Sequence, residues 1–180
     1  IKPTRPETGF GYLKLGQVEE NHETIKIDKF IEKPDLDKAT EYLASKKFLW
    51  NSGMFALTAN HLISEANNYC SSLLSNCKLS IEDASTTRNE VFLSKEHYEK
   101  CENQSIDYAV MEKVEDIYTL PLSCEWVDAG SWNALREYGL KDENNNVTSG
   151  KIRLSESNNN YIRNDGSTLV VSGINDSIII

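Results

Sequence analysis

Apolar and polar positions along this chain follow two periods in turn. Tyr12-Leu13-Lys14-Leu15 alternates like a strand and is closed by Gly16. After a polar turn at Asn21 to Glu23, Ile25, Ile27 and Phe30-Ile31 repeat the β spacing and run into Glu32-Lys33-Pro34. Pro34 ends that strand because it has no N–H to give to a ladder. Asp35 to Lys47 reads as a helix with Ala39, Tyr42 and Leu43 on its apolar side. Phe48 to Leu57 returns to strand character, interrupted by Asn51-Ser52-Gly53. Within it Trp50, Met54 and Phe55 are expected to pack, while Asn51 points out of the sheet end. Thr58 suits an N-cap. Leu62, Ile63, Ala66, Tyr69, Cys70, Leu73 and Leu74 then form an i, i+3, i+4 stripe that predicts a core-facing helix. The polar stretch Asn76 to Gln104 predicts short surface helices.

Further on, Ser105 is placed to cap a short helix over Ile106–Lys113, and Ile117 to Leu122 reads as a strand. Trp126 to Trp132 passes into a helix over Asn133–Tyr138, with Gly139 beyond it. Beyond Lys141 the composition shifts to Asn, Ser and Gly, over Asp142 to Ser149 and Ser155 to Asn160, which predicts a linker or loop. Leu169-Val170-Val171 and Ile178-Ile179-Ile180 are short strands set apart by turn residues, the pattern of an added β unit. These elements predict an α/β fold in two parts, residues 1–141 and a β-rich segment over 142–180.

Composition narrows the function. At 180 residues and 39% hydrophobic the chain can bury a sizeable core. No run approaches the roughly 18 apolar residues of a membrane span, and the first residues carry no signal-peptide pattern. A start at Ile1 and an end on Ile180 predict a piece of a longer chain. The formal charge of −9 argues against nucleic acid, since there is no basic face to displace counterions. An anionic small molecule is still compatible if cations gather in one pocket. Cys70, Cys77, Cys101 and Cys124 lack CxxC spacing, and His22, His61 and His97 are scattered, so zinc is not expected. Four unpatterned cysteines predict reduced thiols and a cytoplasmic location.

Four places carry candidate chemistry. In Trp50-Asn51-Ser52-Gly53-Met54-Phe55, Asn51 offers an acceptor and a donor that suit a sugar hydroxyl, and Gly53 admits a close approach; an ordinary buried strand with an Asn turn fits equally. In Pro3-Thr4-Arg5-Pro6-Glu7-Thr8-Gly9-Phe10-Gly11-Tyr12, the prolines forbid helix. Gly9 and Gly11 allow close backbone approach; a Gly-bordered turn is the plain alternative. Glu32 and Lys33 stand at a strand end, where open α/β sheets place ligands. A carboxylate there can accept from sugar hydroxyls and an ammonium can hold a phosphate, but an exposed Glu–Lys pair is also common. Asp128, just before a Gly at a strand-to-helix junction, suits either a Mg²⁺ ligand or a helix cap.

In order along the chain, PTRPETGFGY, FIEKP, WNSGMF, IDYAVMEK and WVDAGSW resemble the mannose-1-phosphate guanylyltransferase family of sugar-nucleotide pyrophosphorylases, and SGINDSIII resembles the entry to its C-terminal β-rich part. The resemblance covers nearly the whole chain. It implies a Rossmann-like nucleotidyltransferase domain with a mixed sheet, followed by a β-helix-like segment. It implies that Glu7, Thr8, Gly9, Gly11 and Tyr12 line a sugar-phosphate pocket. Glu32 takes mannose hydroxyls, Lys33 takes phosphate, and Asn51 binds the sugar with Gly53 making room. Asp128 supplies one of two carboxylates for a catalytic Mg²⁺. The implied reaction joins GTP and mannose 1-phosphate into GDP-mannose and pyrophosphate, by positioning and charge neutralisation. The family's Gly-rich nucleotide loop and second metal carboxylate are not in these 180 residues, so the chain is expected to be the sugar-binding half, inactive alone and prone to self-association as a homo-oligomer. Related expectations are a bifunctional mannose-6-phosphate isomerase, a pyrophosphorylase for another hexose, or a non-catalytic regulatory subunit.

Overall fold

The computed structural model describes residues 1–17, 23–124 and 126–180, which form two compact units, Ile1–Cys124 and Glu125–Ile180. The polar turn expected at Asn21 to Glu23 lies mostly outside the described residues, as does His22.

The first unit is built on an antiparallel sheet. Strand β1 is Tyr12–Leu15 and β2 is Ile25–Ile31, as their alternation predicts. Helix α1, Leu36–Ser45, follows Pro34. Its N-cap is Asp35, whose carboxylate accepts from the Lys38 N–H at 2.9 Å. It ends where Lys46 turns into the left-handed region at φ 57°. Strand β3 is Phe48–Trp50 only. β1 sits between β3 and β2, with Tyr12 opposite both Trp50 and Ile31, and Leu13 opposite both Leu49 and Phe30. That register sorts the side chains to two faces. On one, Leu13, Ile27, Phe30 and Met111 make a buried cluster, with Leu49 and Ile117 packed against it; burying each such side chain stabilises by about 1.5–3 kcal/mol. On the other, Tyr12 packs on Tyr42 of α1 and on Phe48, ring centroids 5.4 and 6.5 Å away.

The strand expected over Phe48–Leu57 stops at Trp50. Met54 and Phe55 are exposed rather than packed, because Asn51 and Ser52 turn their side-chain oxygens onto the N–H groups of Gly53 and Met54 and divert the backbone from any ladder.

Helix α2 is Ala59–Tyr69, capped as expected by Thr58, whose hydroxyl accepts from the His61 N–H at 3.2 Å. The chain breaks at Cys70 and resumes as α3, Ser71–Glu82. The apolar stripe expected to be core is only half covered. α2 contains no buried residue, and Leu62, Ala66, Leu73 and Leu74 line an open cleft of ≈ 540 Å³. Periodicity reports an apolar face but not what covers it. A small ribbon of β4, Ser85–Thr86, and β5, Val91–Phe92, leads to α4, Lys95–Tyr98.

The helix expected over Ile106–Lys113 is a single π-type turn, Asp107–Met111, with no side-chain cap. Ser105 contributes its carbonyl to the Ala109 N–H. Buried Ala109, Val110 and Met111 hold the turn to the core. Of the strand expected over Ile117–Leu122 only β6, Tyr118–Thr119, pairs, against Ile25 and Lys26.

In the second unit, α5 is Trp132–Tyr138. Of the Asn-, Ser- and Gly-rich stretches read as a linker or loop, residues 142–146 and 156–160 are turns, and they lead into a parallel three-stranded sheet of β7 (Val147–Ser155), β8 (Tyr161–Ser172) and β9 (Ile178–Ile179). Val147 stands beside Tyr161, and Tyr161 beside Ile178. The mixed sheet expected of the first part is not seen there: among the described residues its strands pair only antiparallel, and the parallel strands belong to the second unit. Asn146 and Asn160 are fully buried just ahead of β7 and β8. Their amides bond each other at 2.9 Å, and Asn146 also reaches the Asp142 carboxylate and the Ser157 carbonyl. Composition alone cannot separate this use of Asn from a solvated loop. No described helix is long and apolar enough to cross a membrane.

Candidate functional site

The chain organises one end of the β1–β2–β3 sheet around Gly11. A Cβ at this position would stand 2.5 Å from Oε2 of Glu32 and 3.2 Å from Cβ of Asn51. Glycine is therefore what lets the ends of three strands converge. The Gly11 carbonyl accepts from the Asn51 N–H at 2.7 Å, and the Phe10 carbonyl from the Lys33 N–H at 3.2 Å. Asn51, Glu32 and Lys33 are thus tied to the same two residues of the Pro-Gly loop.

Side-chain chemistry follows from these ties. The Asn51 carbonyl oxygen accepts from the Gly53 N–H at 3.1 Å, which leaves its amide NH₂ available. Gly53 itself is left-handed at φ 76° with open space around its Cα, so its value here is conformational. Lys33 is also left-handed, at φ 45°, where a residue with a side chain is strained. Its ammonium lies 3.7 Å from the Glu32 carboxylate and remains more than half exposed. The Glu32 side chain is only 10% exposed. Burial, then the carboxylate of Asp107 and, behind the opposing pull of Lys33, that of Glu112, push the Glu32 carboxyl above the usual glutamate range.

That shift has a sign that can be checked. A carboxyl whose pKa is raised on folding favours the fold below its unfolded pKa, and that contribution is lost as pH rises through the raised folded value. Glu32→Gln is therefore expected to unfold at a higher temperature than the parent at neutral pH, the difference vanishing below the ordinary glutamate range. Thermal unfolding of both proteins across pH measures this, and a difference that grows on acidification is the contrary result.

Glu7 holds the other side of the loop. Its carboxylate accepts from the Arg5 guanidinium and from the Gly9 N–H, each at 3.1 Å. The Arg5 guanidinium also lies 5.6 Å over the Trp50 ring. Thr8 is exposed at the tip. Gly9 would meet only the Glu7 carboxylate at ordinary contact distance, so the close approach expected of it is not required within the chain. Tyr12 departs from its expected place in the pocket lining. It is fully buried, and its hydroxyl accepts from the Glu7 N–H at 3.0 Å and donates to the Glu7 carbonyl at 2.9 Å. It fastens the loop from behind and offers no surface to a ligand.

Asp128 belongs to the second unit and is exposed. Its Oδ1 accepts from the Gly130 N–H at 3.1 Å. The cap of α5 is Ser131, whose hydroxyl accepts from the Ala134 N–H at 3.2 Å, so the capping role considered for Asp128 is not the one observed. Its Oδ2 is a free hard oxygen, which fits one ligand of Mg²⁺. Among the described residues no three His, Cys, Asp or Glu gather as a metal cluster.

Glu112 and Asp107 were not marked by the sequence as neighbours of the site. Five residues apart, they belong together only on a π-type turn, and a helical reading of IDYAVMEK turns them away from each other.

The nucleotidyl transferase family model matches residues 1–145. The chain belongs to the nucleotidyl transferase family. A mannose-1-phosphate guanylyltransferase of Klebsiella pneumoniae is 36% identical over the whole chain, which spans 39% of that relative's length. Among solved structures, one described as a mannose-1-phosphate geranyltransferase from Thermus thermophilus is 27% identical, with a TM-score of 0.77 over 99% of this chain and 51% of its own. A Helicobacter pylori mannose-6-phosphate isomerase is 30% identical with a TM-score of 0.59, covering 70% of this chain and 48% of its own. The sheet end around Gly11 carries one carboxylate acceptor, one amide donor and one cation side by side.

Proposed function

We propose that this chain provides the sugar-phosphate site of a mannose-1-phosphate guanylyltransferase, which joins GTP and mannose 1-phosphate into GDP-mannose and pyrophosphate. The observation that carries this reading is the packing of Gly11 against both Glu32 and Asn51, with Lys33 beside them. Glu32 accepts from sugar hydroxyls and the Asn51 amide donates to one. Lys33 holds the sugar phosphate, and Glu7, Thr8, Gly9 and Gly53 shape the rim. The phosphate oxygen attacks the α-phosphorus of GTP and pyrophosphate leaves, so these side chains orient the nucleophile rather than bond to it. Mg²⁺ neutralises phosphate charge when bound, and Asp128 is the residue of this chain that would hold it, through Oδ2. We read the parallel strands β7–β9 as the opening of a β-helix-like part, and the protein as a cytoplasmic homo-oligomer.

The test is initial-rate kinetics of pyrophosphate release in the protein as natively encoded. Lys33→Ala is expected to weaken sugar-phosphate binding by about 1.5–3 kcal/mol, the loss of a charge-assisted hydrogen bond, or roughly ten- to a hundredfold. The affinity for GTP should hardly change. Asp128→Asn should abolish Mg²⁺-dependent turnover in a folded protein. An unchanged KM for mannose 1-phosphate in the Lys33 variant removes that residue from the site.

The likeness to the Helicobacter isomerase favours one second reading, a bifunctional protein that also isomerises mannose 6-phosphate. Isomerase activity in the same preparation decides between the two.

A further inference from the structure

Lys33 sits in a strained left-handed conformation, and such a residue persists only where its surroundings over-determine it. Two hydrogen bonds from different parts of the chain bracket the Glu32–Lys33 peptide. The Phe10 carbonyl accepts from the Lys33 N–H on one side. Oε1 of Glu112 accepts from the Glu32 N–H on the other, at 2.8 Å. The second is needed because, among the described residues, β2 is met on that edge only from Ile25 to Ile27, by β6 and the Ile117 carbonyl, so the N–H of Glu32 has no strand to receive it. Glu112 reaches it because the π-type turn Asp107–Met111 is pinned by three buried residues and closes with the Glu112 N–H donating to the Asp107 carbonyl at 2.9 Å. Two acidic residues beside a largely buried glutamate side chain are electrostatically unfavourable, which fits a functional rather than a stabilising arrangement.

We infer that Glu112 is a positioning residue: its carboxylate anchors the backbone of Glu32 and so sets the conformation in which Glu32 and Lys33 meet the sugar phosphate. The inference rests on the sugar-phosphate reading of this site. Glu112 touches no reacting atom. It acts through a single backbone hydrogen bond and through its charge on Glu32, which Asp107 reinforces and Lys33 opposes.

Glu112→Ala and Glu112→Gln separate the two actions, compared with Lys33→Ala in the protein as natively encoded. Gln keeps an acceptor for the Glu32 N–H; Ala does not. The Ala variant is expected to raise the KM for mannose 1-phosphate about tenfold, the scale of one charge-assisted hydrogen bond, with the KM for GTP unchanged. The Gln variant is expected to stay within about threefold of the parent, because an amide oxygen still accepts, only more weakly. Both variants should move the acid limb of kcat/KM for the sugar phosphate to lower pH, because removing a neighbouring negative charge lets Glu32 ionise more easily.

A Lys33→Ala effect together with a silent Glu112→Ala overturns the inference and leaves the site reading standing. A silent Lys33→Ala overturns both. If the Ala variant does not fold, the Gln variant still decides, since an acid limb that does not move, or a KM raised about tenfold, overturns the role assigned to Glu112.

Discussion

Gly11→Ala is expected to remove most of the sugar-phosphate affinity while leaving the protein folded. The added methyl would stand 2.5 Å from the Glu32 carboxylate, 3.2 Å from Cβ of Asn51 and 3.4 Å from the ring of Phe30. The first of these is the end of a flexible side chain that can swing away, and the second calls for a shift of a few tenths of an ångström. Overpacking of this kind costs about 1–3 kcal/mol of stability, which a domain of ordinary stability survives. The same movements displace the two side chains proposed to hold the sugar. Losing one hydrogen bond to a charged group and one neutral one is worth about 2–4 kcal/mol, or roughly 30- to 1000-fold in affinity. Titration calorimetry with mannose 1-phosphate, alongside a thermal melt, separates the effects. A variant that melts lower but binds like the parent would remove Glu32 and Asn51 from the sugar site.

Gly11 also marks where the sequence is most legible. Its strand, the β2 alternation, the stop at Pro34 and the caps at Asp35 and Thr58 depend on contacts within a few residues, and local pattern reports such contacts well. Near Gly11 the sequence offered a carboxylate, an ammonium and an amide at strand ends, each with a plain alternative, and only the fold shows that the three stand together. Three things were not legible, each for a physical reason. Tyr12 was expected in the pocket lining, but the register between β1 and β3 sets it opposite Trp50 on the same face of the sheet, where both are buried. The α2–α3 stripe shows an apolar face whose cover is a property of tertiary packing. The turn at Asp107–Met111 has the composition of a helix, and only the π-type spacing brings Asp107 and Glu112 to the same side as Glu32.

In the Asn-rich tail composition reports the turns but not their burial: Asn146 and Asn160 stand in turns ahead of β7 and β8, with their amides buried and bonded. Asn160→Ala tests how much these buried amides contribute. Asn160 donates to the Ile174 carbonyl at 2.8 Å and to Oδ1 of Asn146 at 2.9 Å, and its own Oδ1 accepts from the Ser177 N–H at 2.9 Å. Truncation orphans the Ser177 N–H, while the Ile174 carbonyl keeps the Asn158 N–H and Oδ1 of Asn146 keeps the Asn160 backbone N–H. The orphaned donor costs about 1–3 kcal/mol and each of the two lost hydrogen bonds about 0.5–1.5 kcal/mol, less what entering water recovers, so a loss of about 2–4 kcal/mol is expected. The loss should fall on one stretch. Hydrogen exchange of the backbone in Val147–Ser155 and Tyr161–Ser172 should accelerate strongly, while Tyr12–Leu15 and Ile25–Ile31, held by their own hydrophobic cluster, keep their protection. Asn158 makes a good comparison, since its side chain bonds only Asn175, at 3.0 Å on an exposed face, and Asn158→Ala should change stability by well under 1 kcal/mol. If the two substitutions proved equally mild, the buried amide pair would not be what holds the parallel strands together, and the stacking of Val147, Tyr161 and Ile178 along the sheet would have to supply that stability instead.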